Sequence, residues 1–218
     1  MNIGVFGTGQ VGDAIGTKLI QLGHNVRMGS RTAQNEKAAE WTKKSGMLAS
    51  HGTFSDAAQF ADEFIFNCTS GTGSVDALKS AGAAHLNGKV LIDISNPLDF
   101  SKGFPPSLTV ANTDSLGEQN QRALPDLKVV KALNTLSNPL MVNPALVNGG
   151  DHTLPICGND DRAKAKVAAL LHTFGWKADQ ILDLGDITAA RGMEAYVLLW
   201  VRMFGKFQTP MFQIKIVQ

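Results

Sequence analysis

The first residues with an evident chemical use form a glycine-rich loop: Gly7, Thr8, Gly9, Gln10, Val11 and Gly12. This GxGxxG pattern follows the apolar run NIGVFG and opens a stretch with helical spacing. In such a loop the first glycine permits a tight turn, the second lets a pyrophosphate approach the backbone, and the third allows helix and strand to pack closely. Unpaired N–H groups at the start of the helix attract phosphate. The loop therefore predicts a dinucleotide-binding site.

The stretch VRMGSR, residues 26–31, predicts which dinucleotide is bound. Chains that bind NAD usually place Asp or Glu near this point, where the carboxylate holds the ribose hydroxyls. Here no acidic residue occurs between Ala14 and Asn35. Arg31 instead offers a planar guanidinium suited to a 2′-phosphate, Ser30 offers a hydroxyl, and Thr8 of the loop offers another. The pattern favours NADP(H) over NAD(H).

Three later segments are rich in small polar and turn-forming residues, and each follows a predicted strand. They are NCTSGTGS (67–74), DISNPL (93–98) and ALNTLSNP (132–139). Because ligands of open α/β sheets lie outside the carboxyl ends of the strands, these segments should surround the nicotinamide and its ribose. The first segment contributes Cys68, Thr69 and Ser70 to the predicted cofactor site.

Positioning these segments requires strands that alternate with helices. Strands are predicted at NIGVFG, HNVRMGS, EFIFNCTS, KVLIDIS, LKVVKAL and TLPICG, with helices at 10–22, 35–44, 73–82 and 160–173. The alternation predicts an α/β, Rossmann-type doubly wound sheet, mainly parallel, with a small helical C-terminal part. We expect an NADP-binding domain over 1–158 and a helical part over 159–218, which forms the dimer and the acceptor cleft. The stretch ITAARGMEAYVLLWVRMFG predicts a long helix, apolar nearly all round, that is buried between subunits or under the sheet.

Composition narrows the class of protein. The 218 residues are 44% hydrophobic and 18% charged, with a net charge of +1, so nucleic acid and anionic membrane are not expected as partners. Cys68 and Cys157 stand apart in sequence, with no metal-ligand spacing, which is typical of reduced thiols. The run AYVLLWV is too short to span a bilayer. A cytoplasmic location is expected.

Taken together, these motifs resemble the coenzyme F420-dependent NADP oxidoreductases and their bacterial relatives. The resemblance rests on IGVFGTGQVGDAIGTKLIQLGHNVRMGSR, VLIDISNPL, VKALNTL, PICGNDDRAK and GDITAARGMEAYVLLWV, in that order and almost end to end. It implies a Rossmann domain, a helical C-terminal part and a homodimer, with a deazaflavin or flavin as second substrate over the nicotinamide. It also implies that Gly9, Gln10 and Val11 follow the pyrophosphate and that Lys37 reaches the 2′-phosphate.

The resemblance further implies which residues flank the nicotinamide and the acceptor: Asn96, Pro97, Ala132 and Asn134. One segment departs from the family pattern. Where the deazaflavin enzymes carry an apolar segment with proline, this chain has TSGTGS, which is more polar. The departure puts a deazaflavin acceptor in question.

Acid–base machinery is sparse in the sequence. The five histidines are scattered, and the single tyrosine, Tyr196, lies in the apolar helix. Asp93 is expected to orient a loop through backbone N–H groups. Arg191 and Glu194 lie three apart, which favours an ion pair within the helix over a role in binding the acceptor. No catalytic side chain is predicted. Hydride transfer between two conjugated rings needs geometry more than a proton donor, so it fits better than alcohol oxidation.

Two other functions remain open from the sequence. One is NADPH-dependent reduction of another small acceptor, such as a quinone or chelated ferric iron. The other is a non-catalytic NADPH-binding sensor, whose apolar helix and tail KFQTPMFQIKIV would contact a partner.

Overall fold

The computed structural model describes residues 1–217, which build one eight-stranded sheet and a small two-stranded pair. The strands are β1 (Asn2–Phe6), β2 (Asn25–Ser30), β3 (Ala49–Thr53), β4 (Phe64–Asn67), β5 (Val90–Asp93), β6 (Leu98–Asp99), β7 (Ser107–Leu108), β8 (Lys128–Ala132), β9 (Leu154–Gly158) and β10 (Ile181–Asp183). The large sheet has the order β10-β9-β8-β5-β4-β1-β2-β3. From β3 to β8 all neighbours are parallel, β9 is antiparallel to β8, and β10 is parallel to β9. The predicted doubly wound, mainly parallel sheet is confirmed.

Helices cover both faces of this sheet. They are α1 (Gln10–Gln21), α2 (Glu36–Ser45), α3 (Phe54–Phe60), α4 (Ser74–Ala81), α5 (Ala83–Leu86), α6 (Leu116–Ala123), α7 (Asn138–Val142), α8 (Asp161–Phe174) and α9 (Ala190–Phe207). One apolar core contains the buried side chains of α1, α2, α7 and α8 together with one face of the sheet. The other core contains those of α3, α4, α5 and α9 with the opposite face. The result is a three-layer arrangement.

Local sequence explains where the helices begin. Asn35 caps α2 by accepting a hydrogen bond from the Ala38 N–H (3.0 Å), and Asp160 caps α8 in the same way through Ala163 (2.8 Å). At α3, which the sequence analysis did not predict, Thr53 forms a reciprocal capping box with the residue three positions on. These caps satisfy N–H groups that have no partner within the helix.

Close helix packing depends on one small residue in α1. A side chain at Gly16 would place its Cβ 2.7 Å from the ring of Trp41 on α2. The absence of that carbon lets the two helices approach, and the Trp41 indole N–H then donates to the Thr17 hydroxyl (3.1 Å). The contact orients α1 behind the glycine-rich loop that it carries.

The C-terminal part adds one strand to the same sheet and then ends in a long helix. Helix α8 packs on β8 and β9, and β10 extends the sheet edge. The boundary predicted at residue 158 stays a prediction, and Gln218 lies outside the described residues. Helix α9 buries one side, including Met193 and Val197, whereas Leu198 and Leu199 on its other side are 38% and 56% exposed. Among residues 1–217, no helix is long and apolar enough to cross a membrane.

Candidate functional site

The site lies where the carboxyl ends of β1, β2, β4 and β5 meet at one edge of the sheet. In a sheet of this order, the connections to the two sides of β1 leave in opposite directions and open a crevice between them. The glycine-rich loop follows β1, Ser30 ends β2, and the segments at 68–73 and 94–97 follow β4 and β5. Backbone hydrogen bonds tie these segments together, from Gly7 N–H to the Gly29 carbonyl (2.9 Å) and from Cys68 N–H to the Phe6 carbonyl (2.8 Å).

Glycine is favoured at each of the three loop positions for a different structural reason. Gly7 has a φ of +109°, and a Cβ there would lie 2.6 Å from the Cys68 carbonyl oxygen. A Cβ on Gly12 would lie 2.1 Å from the Gly7 carbonyl oxygen, so only glycine lets α1 start this close to the loop. A Cβ on Gly9 would meet nothing within 4 Å, because Gly9 faces open space. Open space beside a helix N-terminus is what a bound pyrophosphate would need.

Three cavities that share lining residues lie along this edge, and together they are called the trough. A cavity of about 1030 Å³ is lined by Gly7, Thr8, Gly9, Ser30 and Arg31 on one side, and by Cys68, Thr69 and Ser70 on the other. A second, of about 450 Å³, shares Cys68, Thr69 and Ser70 and adds Val11, Ser95 and Asn96. A third, of about 680 Å³, shares Thr8 and Gly9 and adds Gln10 and Lys37. Most of the predicted site residues therefore meet around one surface.

The end of the trough near β2 is suited to a phosphate. Arg31 is exposed, and among the described residues no carboxylate pairs with it, so its guanidinium is available to a ligand. Ser30 is buried, and its hydroxyl donates to the Thr32 carbonyl (2.6 Å). Since a hydroxyl has one hydrogen, Ser30 can donate to a phosphate only if that bond breaks. Arg31 is therefore the stronger candidate for charge recognition.

The 450 Å³ cavity has a wall that the sequence analysis did not predict. Leu98, Asp99 and Phe100, at the start of the β6–β7 hairpin, close its outer side, and Phe100 is 57% exposed. The hairpin is held to the site by the Pro97 carbonyl, which accepts from the Thr109 N–H (2.8 Å). No residue of α9 lines this cavity.

Four predicted residues do not line these cavities: Gly12, Pro97, Ala132 and Asn134. Ala132 is buried at the end of β8, and Asn134 is 4% exposed. The Asn134 side-chain amide donates to the Asn96 side-chain oxygen (2.9 Å) and to the Met193 carbonyl (3.1 Å), while the Asn96 amide donates to the Asn134 carbonyl (2.9 Å). Asn134 thus fixes Asn96, which does line the trough.

Cys68 and Asp99 are the two titratable side chains that line the 450 Å³ cavity. Burial, with a smaller contribution from Asp93, raises the pKa of the Cys68 thiol well above its usual range. The Ser101 N–H donates to the Asp99 carboxylate (2.8 Å), which lowers the pKa of Asp99 and keeps it ionised. Tyr196 lies on α9, and burial raises its pKa to about 12. The cavity therefore offers no acidic proton donor near neutral pH.

Behind the trough lies a buried charged cluster that the sequence analysis missed. Lys131 forms ion pairs with Asp93 (3.0 Å) and Glu194 (2.8 Å), and all three side chains are at most 2% exposed. Burial works to lower the pKa of Lys131, but the attraction of both carboxylates outweighs it, so this pKa lies above its usual value. The predicted loop-orienting role of Asp93 is confirmed, because its carboxylate accepts from the Ser95 N–H (3.2 Å).

The predicted ion pair within α9 is wrong. Arg191 pairs instead with Glu118 on α6, through its Nε (2.9 Å) and its Nη2 (2.6 Å). Glu194 also contacts α6, but it accepts from the backbone N–H groups of Leu116 (2.8 Å) and Gly117 (2.9 Å), at the start of that helix. Residues three apart on a helix are neighbours, but partners on other elements compete for them. Here the helix N-terminus and buried Lys131 bind Glu194 more favourably.

Comparisons with known proteins find one family and more distant relatives with another name. A family model described as NADP oxidoreductase, coenzyme F420-dependent, matches residues 2–97. A crystal structure from Arthrobacter sp. FB24, of a protein whose name assigns it as an F420-dependent NADP-reductase, is 45% identical, covers 100% of both chains and superposes with a TM-score of 0.94. Metalloreductase STEAP3 of Rattus norvegicus is 28% identical over 95% of this chain, and metalloreductase STEAP2 of Homo sapiens is 25% identical over 96%. The chain spans 38% of the length of each of these two metalloreductases.

Proposed function

The chain belongs to the coenzyme F420-dependent NADP oxidoreductase family, and we propose that it transfers a hydride between NADPH and a flavin- or deazaflavin-like acceptor. Family membership makes it an NADP-dependent oxidoreductase. The sensor interpretation is therefore set aside in favour of an enzyme. The identity of the acceptor, the roles of individual residues and the assembly are the parts that we propose.

The residues of the trough fit NADP(H) along its whole length. Gly9 faces open space beside the start of α1, where a pyrophosphate would accept backbone hydrogen bonds. Arg31 would hold the 2′-phosphate, with Thr8 beside it and Lys37 on the far side of the loop. When bound, the nicotinamide supplies the hydride.

One observation carries the choice of acceptor: the cavity predicted to hold the nicotinamide lacks an acidic proton donor. Reduction of a ketone or aldehyde needs such a donor at the developing alkoxide. Cys68 and Asp99 are both unsuited, because the raised pKa keeps the first as a thiol and the lowered pKa keeps the second as a carboxylate. A conjugated ring acceptor spreads the added charge and can take its proton from solvent. Phe100, exposed at the mouth of the cavity, offers an aromatic face beside that ring.

A second candidate acceptor is supported by the metalloreductase relatives. Their names refer to metal reduction, and they resemble this chain over 95% and 96% of its length. One NADPH could reduce two ferric chelates with release of a proton, and a quinone could take the hydride together with a proton from solvent, so neither acceptor needs a proton donor from the protein. Because the chain spans only 38% of those proteins, their activity provides a candidate acceptor for the assay described below.

We also propose that the enzyme is a cytoplasmic homodimer. The exposed side of α9 carries Leu198 and Leu199, and Phe207 at its end is 54% exposed. A second copy of this chain would remove these side chains from water. Both cysteines are free thiols, which is compatible with a reducing compartment. A solution mass twice 23.2 kDa is expected, and a monomer at micromolar concentration would contradict the dimer.

The function is tested by following NADPH oxidation at the absorbance of the reduced nicotinamide. The panel contains coenzyme F420, FMN, FAD, a soluble quinone and a ferric chelate. We expect the flavin or deazaflavin to be reduced fastest and NADH to be a poor donor with the same acceptor. Faster reduction of the ferric chelate or the quinone would favour the second candidate. Oxidation by none of the five would contradict the proposed function.

A further inference from the structure

The buried charged cluster described above consists of Lys131 on β8, Asp93 on β5 and Glu194 on α9. With one cation and two carboxylates it carries a net charge of −1, and it lies entirely within the fold. Such a cluster contributes little to stability, since replacing buried ion pairs by well-packed apolar residues is often neutral or stabilising. The contacts of the cluster suggest what else it does.

Asp93 is the centre of a network that reaches both walls of the 450 Å³ cavity. Towards one wall it accepts from the Ser95 N–H (3.2 Å) and hydroxyl (2.6 Å), and Lys131 donates to the Ser95 carbonyl. Towards the other wall it accepts from the Asn67 amide (2.9 Å), and the Asn67 side-chain oxygen in turn accepts from the Thr69 hydroxyl (2.7 Å). Ser95 and Thr69 both line the cavity.

The network also includes the two helices behind the cavity. Asn120 on α6 donates to Asp93 (3.2 Å) and accepts from the Ser74 hydroxyl (3.0 Å), at the start of α4. Glu194 accepts from the first N–H groups of α6 as well as from Lys131. The two loops, the sheet and α9 are therefore joined through one set of satisfied polar contacts. Removing Lys131 leaves two buried carboxylates without their shared cation.

We propose that Lys131, Asp93 and Glu194 are positioning residues, which hold the loops after β4 and β5 at the separation that productive binding of the nicotinamide requires. This inference rests on the proposed function, because it assigns the 450 Å³ cavity to the nicotinamide. None of the three side chains lines that cavity, so each acts through Ser95 or Thr69. Displacing a reacting group by about 1 Å can slow a reaction about 100-fold, which is the scale on which such a device would act.

The experiment compares Lys131→Met with Lys164→Met, a matched control. Lys164 is also a buried lysine, 5% exposed, and is paired with Asp183 (2.9 Å) and Asp161 (3.1 Å), but it lies on α8, away from the trough. In Lys131→Met we expect kcat to fall about 10- to 100-fold, while KM for NADPH and Kd for 2′,5′-ADP stay within about twofold of wild type. Because 2′,5′-ADP carries no nicotinamide, its Kd reports the phosphate end alone, near Arg31. Lys164→Met should keep both kcat and Kd.

Glu194→Gln provides a second variant should Lys131→Met not fold, since it keeps the shape of the side chain and removes one charge. The fluorescence emission of bound NADPH can be measured without an acceptor. It should differ from that of wild type in either variant. An unchanged kcat and unchanged emission in a folded variant would overturn the proposal. Parallel loss of 2′,5′-ADP binding and kcat would overturn it as well, because the cluster would then be supporting the whole fold. Failure of wild type to oxidise NADPH contradicts the proposed function instead, and the emission reading still decides this inference.

Discussion

Replacing Arg31 is the sharpest test of cofactor choice. Its guanidinium is exposed at the end of the 1030 Å³ cavity and is paired with no carboxylate among the described residues. A hydrogen bond to a charged group contributes about 1.5–3 kcal/mol, and solvent at this exposed position favours the lower half of that range. Since about 1.4 kcal/mol corresponds to a tenfold change, Arg31→Ala should raise KM for NADPH by about 10- to 40-fold.

Charge reversal at the same position should raise KM for NADPH more than Arg31→Ala does. At about 4 Å in water, two unit charges repel by about 1 kcal/mol, so Arg31→Glu should add roughly another fivefold to the KM for NADPH. NADH has no 2′-phosphate, so its KM should stay within about twofold in Arg31→Ala. In Arg31→Glu it should be unchanged or lower, because the new carboxylate can accept from the ribose hydroxyls.

The assay measures KM for both cofactors with one acceptor at fixed concentration. Arg162→Ala is the control, since Arg162 is exposed on α8 and lines none of the three cavities of the trough. Raising the ionic strength from about 0.05 M to about 0.5 M should shrink the difference between wild type and variant, because salt screens exposed charges. Equal changes in KM for NADPH and NADH would refute the assignment of Arg31 to the 2′-phosphate.

Two further predictions concern the loop and the surface. Gly12→Ala should lower Tm and abolish NADPH binding, because the new Cβ would lie 2.1 Å from a backbone carbonyl oxygen. Gly9→Ala should leave Tm unchanged and weaken only NADPH binding, since its Cβ enters open space. Calorimetry with and without NADPH separates these outcomes, and equal Tm values for the two variants would contradict the steric argument. A bidentate hydrogen bond from Arg122 lowers the pKa of Asp114 to about 2, so this contact stabilises the protein above about pH 4 and is lost as the pH falls through about 2. The Tm of Asp114→Asn should therefore lie below that of wild type at pH 7 and converge with it over that interval, and a gap independent of pH would contradict this assignment.

The elements that the sequence predicted are those with local signals. The apolar β1, the glycine-rich loop and the periodic α1 follow one another without interruption, so their spacing alone predicts the phosphate end of the site. Strand β3 was missed because ASHGT, an edge strand with mostly half-buried residues, has neither an apolar run nor alternation. Two missed helices did carry a signal, since α3 and α6 follow Thr53-x-x-Asp56 and Ser115-x-x-Glu118, both capping-box patterns.

Features that depend on distant contacts could not be predicted in this way. Nothing in TLPICG distinguishes a parallel β9 from the antiparallel strand that forms, because direction depends on the path of the preceding connection. Lys131 and Glu194 likewise look like ordinary charged residues, and only the fold brings them within 2.8 Å of each other. The incorrect ion pair within α9 has the same origin, since the true partner of Arg191, Glu118, lies 73 positions away.

The order of the strands also has a consequence for biosynthesis. Five neighbouring strands of the sheet all come from residues 2–93: β3, β2, β1, β4 and β5. A ribosome therefore synthesises a contiguous five-stranded block, with the glycine-rich loop and Arg31 at its edge, before any of β8, β9 or β10. Lys131 and Glu194 emerge later, so the nicotinamide end is completed only when the last long helix docks. We expect the nascent chain to acquire its phosphate site first and its hydride-transfer geometry last.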